Sequence, residues 1–214
     1  MDFPLKILLA YLLGSVVGSL VVGRLRGGVD IRTLGSGNAG STNALRTQGP
    51  AFAIPVIVID VAKGWLAARW LPLLELPGIA PATGAAAAWL PAACAFAAIV
   101  GHVFPVWHGF RGGKGVATLV GAYAGIDAWL LLPLFATWLA VVAASGFVGL
   151  ASITASLALP AYLFLRDGRF SPTLGFALAC AALVVYTHRG NVRRMRCGTE
   201  PRARRLWLFG RGRT

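Results

Sequence analysis

Apolar runs of bilayer length constrain this chain before anything else. A helix needs ~17–25 apolar residues to cross the hydrocarbon core, and the segments 3–23, 51–71, 83–104, 149–165 and 171–188 meet or approach that length. The first is interrupted only by Lys6, and it lacks the small-residue cleavage pattern of a removed secretory signal. The stretch 116–147 is too long for one crossing. At ~1.5 Å per residue it would run roughly 48 Å against a core of about 30 Å. Gly125, Ile126 and Asp127 offer a break, giving helices near 114–125 and 128–147. The expectation is an all-α integral membrane protein of seven transmembrane helices, a single domain over 1–214 with a basic tail from about 201 to 214.

Charge sets the orientation. Only 13% of residues are charged and 57% are hydrophobic, too little charge to cover a soluble domain of this size. Of the 20 Lys and Arg behind the net charge of +13, nine lie between Arg189 and Arg213, four between Arg24 and Arg46, and Arg111 shares a loop with Lys114. With seven crossings these stretches fall on one side, and positive charge belongs on the cytoplasmic side. That places the N-terminus outside and the C-terminus in the cytoplasm. Cations so placed meet anionic membrane lipids, and they argue against a nucleic-acid partner. Cys94, Cys180 and Cys197 have no CxxC or metal-ligand spacing, and neither His102 nor His108 has a nearby carboxylate or cysteine cluster. No metal is expected.

Three polar segments interrupt the apolar pattern, all on the cytoplasmic side of this topology. The first is GSGNAGSTN, running from Gly35 to Asn43, followed by Arg46. Gly35, Gly37 and Gly40 let the backbone curl its N–H groups around an anion. Ser36, Asn38, Ser41, Thr42 and Asn43 add side-chain donors, and Arg46 can fork onto a phosphate. A plain flexible connector would have no use for so many donors beside an arginine.

The second segment is GHVFPVWHGFRGGKGVAT, with Gly112, Gly113 and Lys114 at its centre. Its spacing fails as a nucleotide-binding P-loop. His108 stands where that motif has its first glycine, and Gly115 follows the lysine in place of Ser or Thr. The physics of glycines, a helix start and one cation still suits a phosphate. The third segment begins at His188, where the last apolar run ends, and reads HRGNVRRMRCGTE. His188 and Asn191 are three apart and can share a helical face. Arg193, Arg194 and Arg196 read as ordinary membrane anchors. Asp60 and Lys63 are also three apart, inside an apolar run, where ionisable groups are costly and usually pair or line a site.

Taken together and in this order, GSGNAGSTN with Arg46, GHVFPVWHGFRGGKGVAT and HRGN…RR…GTE resemble the bacterial acyl-phosphate:glycerol-3-phosphate acyltransferases, the PlsY family. The resemblance extends over nearly the whole chain, including the LLAYLLGSVVGS opening and LASIT at 150–154. Arg111 stands where many members carry Lys, 145–150 lacks the basic residues often found in that loop, and the arginine-rich end is long.

The resemblance implies transfer of a fatty acyl group from acyl phosphate to the 1-hydroxyl of glycerol 3-phosphate. The products are lysophosphatidic acid and phosphate, the first step of phospholipid synthesis, at the bacterial inner membrane and with no cofactor. On that reading Ser36, Lys114 and His188 are catalytic. Gly35, Gly37, Asn38, Gly40, Thr42, Asn43, Arg46, Gly112, Gly113 and Asn191 bind substrate. The His-plus-Asp pairing of other acyltransferases is missing, because the residues five after His102, His108 and His188 are Trp107, Gly113 and Arg193. The rival class is a small transporter of phosphorylated solutes. It would line its spans with polar groups from face to face, whereas here they gather on one side and only Asp60 and Lys63 reach inward.

Overall fold

The apolar runs fold as helices close to where their lengths place them. The computed structural model describes residues 2–210, and no β-strand occurs among them. The chain divides into two compact units, one ending at Ala128 and the other beginning at Trp129. The first holds α1 (Phe3–Gly14), α2 (Gly18–Leu25), α3 (Ser41–Gln48), α4 (Pro50–Arg69), α5 (Gly84–Val103) and α6 (Val116–Ile126). The second holds α7 (Leu131–Ser145), α8 (Val148–Asp167), α9 (Pro172–Thr187) and α10 (Arg189–Arg196).

Four stretches are long and apolar enough to cross a bilayer: Pro50–Leu73, Gly84–His108, Ala128–Ser145 and Val148–Asp167. The pair α1–α2 makes a fifth if counted as one bent span, while α6 and α9 are apolar but shorter. The break expected near Gly125 to Asp127 is present. Helix α6 ends at Ile126, and the extended Asp127 closes it through its N–H on the Tyr123 carbonyl at 2.8 Å.

The expectation of one helix over 3–23 is corrected: the chain bends by 45° between α1 and α2. A broken helix leaves backbone groups unsatisfied, which a lipid-facing segment cannot tolerate unless protein supplies partners. Helix α4 supplies them. The Lys63 ammonium donates to the carbonyls of Gly14 at 2.9 Å and Val16 at 2.7 Å, and the Gly18 N–H donates to Asp60 Oδ1 at 3.0 Å. Asp60 and Lys63 also pair with each other at 2.9 Å. Near the start of α4, Pro55 leaves the Ala51 carbonyl without its helical donor, and Arg26 Nη2 reaches that oxygen at 3.4 Å.

Small residues let these helices approach closely. A side chain at Gly64 would strike the Thr118 carbonyl and one at Gly121 the Val61 carbonyl, so α4 and α6 meet backbone to backbone. Helices α1 and α5 meet the same way at Gly14 and Ala98 and at Gly101 and Tyr11. The other end of α1 is tied by a buried ion pair, Lys6 to Asp2 at 2.6 Å, with Lys6 also donating to the Pro72 carbonyl at 2.8 Å.

In the second unit the residues after α10 fold back onto the α7–α8 turn. The Ala203 N–H donates to the Gly146 carbonyl at 2.8 Å and Trp207 Nε1 to the Ala144 carbonyl at 3.2 Å. The Arg202 guanidinium lies 4.6 Å from the Phe147 ring centre and 4.1 Å from that of Trp207. Residues 211–214 of the expected basic tail lie outside the described residues.

Candidate active site

In the first unit, the loop before α3 is built around one buried amide. Asn43 Oδ1 accepts the Ser36 N–H at 3.0 Å, and Nδ2 donates to the carbonyls of Ile31, Leu34 and Asn38 at 3.1, 2.9 and 3.1 Å. Gly35 and Gly37 take positive φ, 56° and 70°, so the chain curls tightly over that amide. Asn43, expected as a substrate ligand, has its amide engaged with the loop's own backbone. Its polar atoms hold the loop's shape.

Around this latch Ser36 and Thr42 are exposed and Asn38 is half-buried. Arg46 follows Thr42 by one turn of α3 and is exposed. Helix α3 begins after Gly40, and its first-turn N–H groups have no partner within the helix, an arrangement that favours an anion. The Ser19 hydroxyl fixes the loop from α2, donating to the Ala39 carbonyl at 2.6 Å.

The second polar segment folds back along the end of α5. The Gly112 N–H donates to the Val103 carbonyl and the Gly113 N–H to the His102 carbonyl, both at 3.1 Å. Gly112 and Gly113 were expected to bind substrate; in the structure their N–H groups close the loop. The glycines are needed for space: a side chain on Gly112 would overlap the His102 carbonyl, and one on Gly113 the His102 ring. Lys114 follows, half-buried, and then Gly115 at φ 85° turns the chain into α6.

Arg32 ties the two segments together and was missed by the sequence reading. Its Nη1 donates to the carbonyls of His108 at 3.0 Å and Arg111 at 3.2 Å, while Nη2 pairs with Asp30 Oδ2 at 2.8 Å. The guanidinium beside Asp30 holds that carboxyl below its usual value, and the carboxylate raises the arginine in turn. Nothing local in the sequence marks Arg32 as a long-range bridge.

In the second unit, His188 closes α9 and starts α10, accepting the N–H groups of Asn191 at 2.9 Å and Val192 at 3.1 Å on its carbonyl. Its ring is buried, and Nδ1 lies 2.8 Å from the Val184 carbonyl. A carbonyl only accepts, so Nδ1 carries the proton and the neutral ring's lone pair sits on Nε2. Asn191 Nδ2 donates to Glu200 Oε1 at 2.6 Å, and Arg194 Nε donates to Glu200 Oε2 at 2.7 Å. Arg194, read as a membrane anchor, is thus partly structural. Glu200 carried a sequence signal that went unused: it is the only carboxylate in the basic stretch from Arg189 to Arg213. Among the described residues no group of three His, Cys, Asp or Glu could hold a metal ion.

The chain's relatives agree in kind. Residues 5–198 match the family model described as glycerol-3-phosphate acyltransferase. A protein of that name from Thioalkalivibrio sulfidiphilus is 46% identical over 194 residues, 90% of each chain. One from Shewanella sediminis is 41% identical over 93% of each chain. Two crystal structures of PlsY, an integral membrane glycerol 3-phosphate acyltransferase, superpose with TM-scores of 0.80 and 0.79 at 33% and 32% identity, each covering 94% of this chain. They cover 96% and 95% of the PlsY chains and represent the glycerol 3-phosphate form and the lysophosphatidic acid form. With its all-helical, apolar build and its three polar segments in order, this chain belongs to the glycerol-3-phosphate acyltransferase family.

Proposed function

We propose that this protein transfers a fatty acyl group from acyl phosphate to the 1-hydroxyl of glycerol 3-phosphate, releasing lysophosphatidic acid and phosphate. The observation that carries the reading is the pair of PlsY forms at TM-scores of 0.80 and 0.79, one with glycerol 3-phosphate and one with lysophosphatidic acid, an acceptor and its acylated product. The family match over 5–198 takes in residues of both units, and we read 1–214 as one acyltransferase domain. We keep seven crossings, with the N-terminus outside and the three polar segments facing the cytoplasm of a bacterial inner membrane.

The chemistry asks little of a strong base. An acyl phosphate is already activated. The acceptor hydroxyl oxygen attacks the acyl carbon, the bond from that carbon to the phosphate oxygen breaks, and the electron pair leaves with phosphate. The larger obstacle is charge, since two dianions ~6 Å apart repel by roughly 10 kcal/mol at an effective dielectric of about 20. Cations and oriented backbone donors answer that obstacle, and proximity supplies much of the rest.

We assign Gly35, Ser36, Gly37, Asn38, Gly40 and Thr42 to one phosphoryl group, and Lys114 to neutralising the acyl phosphate. Arg46, His188 and Asn191 hold glycerol 3-phosphate. The hydroxyl proton passes to a substrate phosphate oxygen, with Nε2 of His188 as the rival acceptor. Asn43, Gly112 and Gly113 shape the loops.

The test is phosphate release from palmitoyl phosphate by the purified protein. Release that depends on glycerol 3-phosphate supports the reading. Uptake of glycerol 3-phosphate into sealed vesicles without phosphate release would replace it with transport. Replacing His188 by Gln decides the proton's destination: an unchanged pH–rate profile with modest rate loss removes His188 as base.

A further inference from the structure

We propose that His102, held by Asp60 and Lys63, is a positioning residue that sets the height of Gly113 and so of Lys114. The inference rests on the reading of Lys114 as a phosphate-holding cation.

Three ionisable side chains meet at the α1–α2 bend with almost no exposure: Asp60 at 1%, His102 at 2% and Lys63 at 3%. Such a cluster inside apolar spans is costly and calls for a reason. The bend explains two of its members, because Lys63 and Asp60 satisfy the backbone groups of Gly14, Val16 and Gly18. It does not explain the third.

His102 Nδ1 lies 2.9 Å from Lys63 Nζ and 3.3 Å from Asp60 Oδ1, which fixes the ring's rotation. The opposite edge of the ring faces the second polar segment. A Cβ on Gly113 would overlap Nε2, and the His102 carbonyl accepts the Gly113 N–H at 3.1 Å. One residue thus supports Gly113 through both its ring and its main chain, and Lys114 is the next residue. A ring pinned on one edge cannot yield on the other, so the cluster works as a rigid stop beneath the loop. Preorganised support of this kind is what a binding cation requires, since a misplacement of about 1 Å can cost up to 100-fold in rate.

The experiment measures KM and kcat for palmitoyl phosphate and for glycerol 3-phosphate in the purified full-length protein. Lys114→Ala first identifies which substrate's KM depends on Lys114. His102→Ala is expected to raise that same KM by about 10-fold with the other KM changed little, and to lower the melting temperature because it leaves a cavity beside the buried Lys63 and Asp60. His102→Asn, which keeps a nitrogen near the Nδ1 position, should recover part of the loss.

Gly113→Ala should raise the same KM, because its Cβ meets Nε2. Combining it with His102→Asn removes that edge and should make the double variant better than Gly113→Ala alone. This pair keeps the inference testable should His102→Ala not fold. If Lys114→Ala raises a KM that His102→Ala leaves alone, or the losses of Gly113→Ala and His102→Asn simply add, the positioning role is wrong and the reading of Lys114 stands. If Lys114→Ala moves neither KM, that reading falls and takes the inference with it.

Discussion

The Asn191 amide donates to the Glu200 carboxylate across 2.6 Å, with both side chains buried. This bond spans the turn after α10, and Arg194 completes it on the other carboxylate oxygen at 2.7 Å. With Nδ2 committed to Glu200, the orientation of the Asn191 amide is set by a residue nine positions away. Replacing Glu200 by Ala releases that amide and leaves buried groups unmatched. The expected result is a loss of kcat/KM of about 10- to 100-fold together with a lower melting temperature. Glu200→Gln keeps an acceptor for Asn191 and should fall between Ala and wild type. Steady-state kinetics and melting curves of the three proteins in one detergent check the order.

A second route to the same amide comes from α8. A Cβ on Gly149 would lie 2.8 Å from Asn191 Nδ2 and 2.9 Å from its Cβ and Cγ. Gly149→Ala should therefore push Asn191 aside although Gly149 itself bears no functional group. We expect activity to fall about 10-fold, with helix content by circular dichroism unchanged. Full activity in Gly149→Ala would show that α8 or α10 yields at this contact.

Asn43 offers a sharper test of the Gly-rich loop. Its Nδ2 faces three carbonyl oxygens, so Asn43→Asp turns a donor into a further acceptor among acceptors. The expected cost is about 2–3 kcal/mol of stability, with activity lost alongside it. Asn43→Ala removes the bonds without adding repulsion and should cost less. Chemical-denaturation or thermal curves of the two variants give the ranking.

The Asp30–Arg32 pair predicts a pH dependence whose sign is fixed. The Asp30 carboxyl is held below its usual 3.8, chiefly by its hydrogen bond to Arg32. Its stabilising contribution is therefore complete above about pH 4 and disappears as pH falls through the lowered value. Asp30→Asn should lower the melting temperature by only about 1–2 °C near neutrality, because the pair is partly exposed. The gap between wild type and variant should close on acidification below the wild-type value. A gap that widens in acid would contradict the assignment.

Much of this protein was legible in residue order because a bilayer imposes a length rule. Helices α4, α5, α8 and α9 begin and end within three residues of the apolar runs read from sequence, and the break before α7 follows from the excess length of 116–147. The spacing of Asp60 and Lys63 put both on one helical face, left to pair or line a site, and the structure pairs them. The three polar segments stood out by composition alone, as backbone-flexible, cation-bearing stretches between apolar runs.

Other features had no local signature. Residues 3–23 read as one span, and the bend at 15–17 exists because Lys63 and Asp60, more than 40 positions later, satisfy the backbone it exposes. Which N–H groups remain for an anion was likewise undecidable from the string. The N–H groups of Gly112 and Gly113 donate to carbonyls at the end of α5, a pairing that only the folded segment shows. That the Asn43 amide meets four backbone groups of its own loop was likewise invisible in the string. Sequence alone thus determined which segments are apolar, how long they are and where the charge lies, because those are properties of residues in order. Hydrogen-bond partners are settled by proximity in space, and only the tertiary structure shows which donors the fold itself employs.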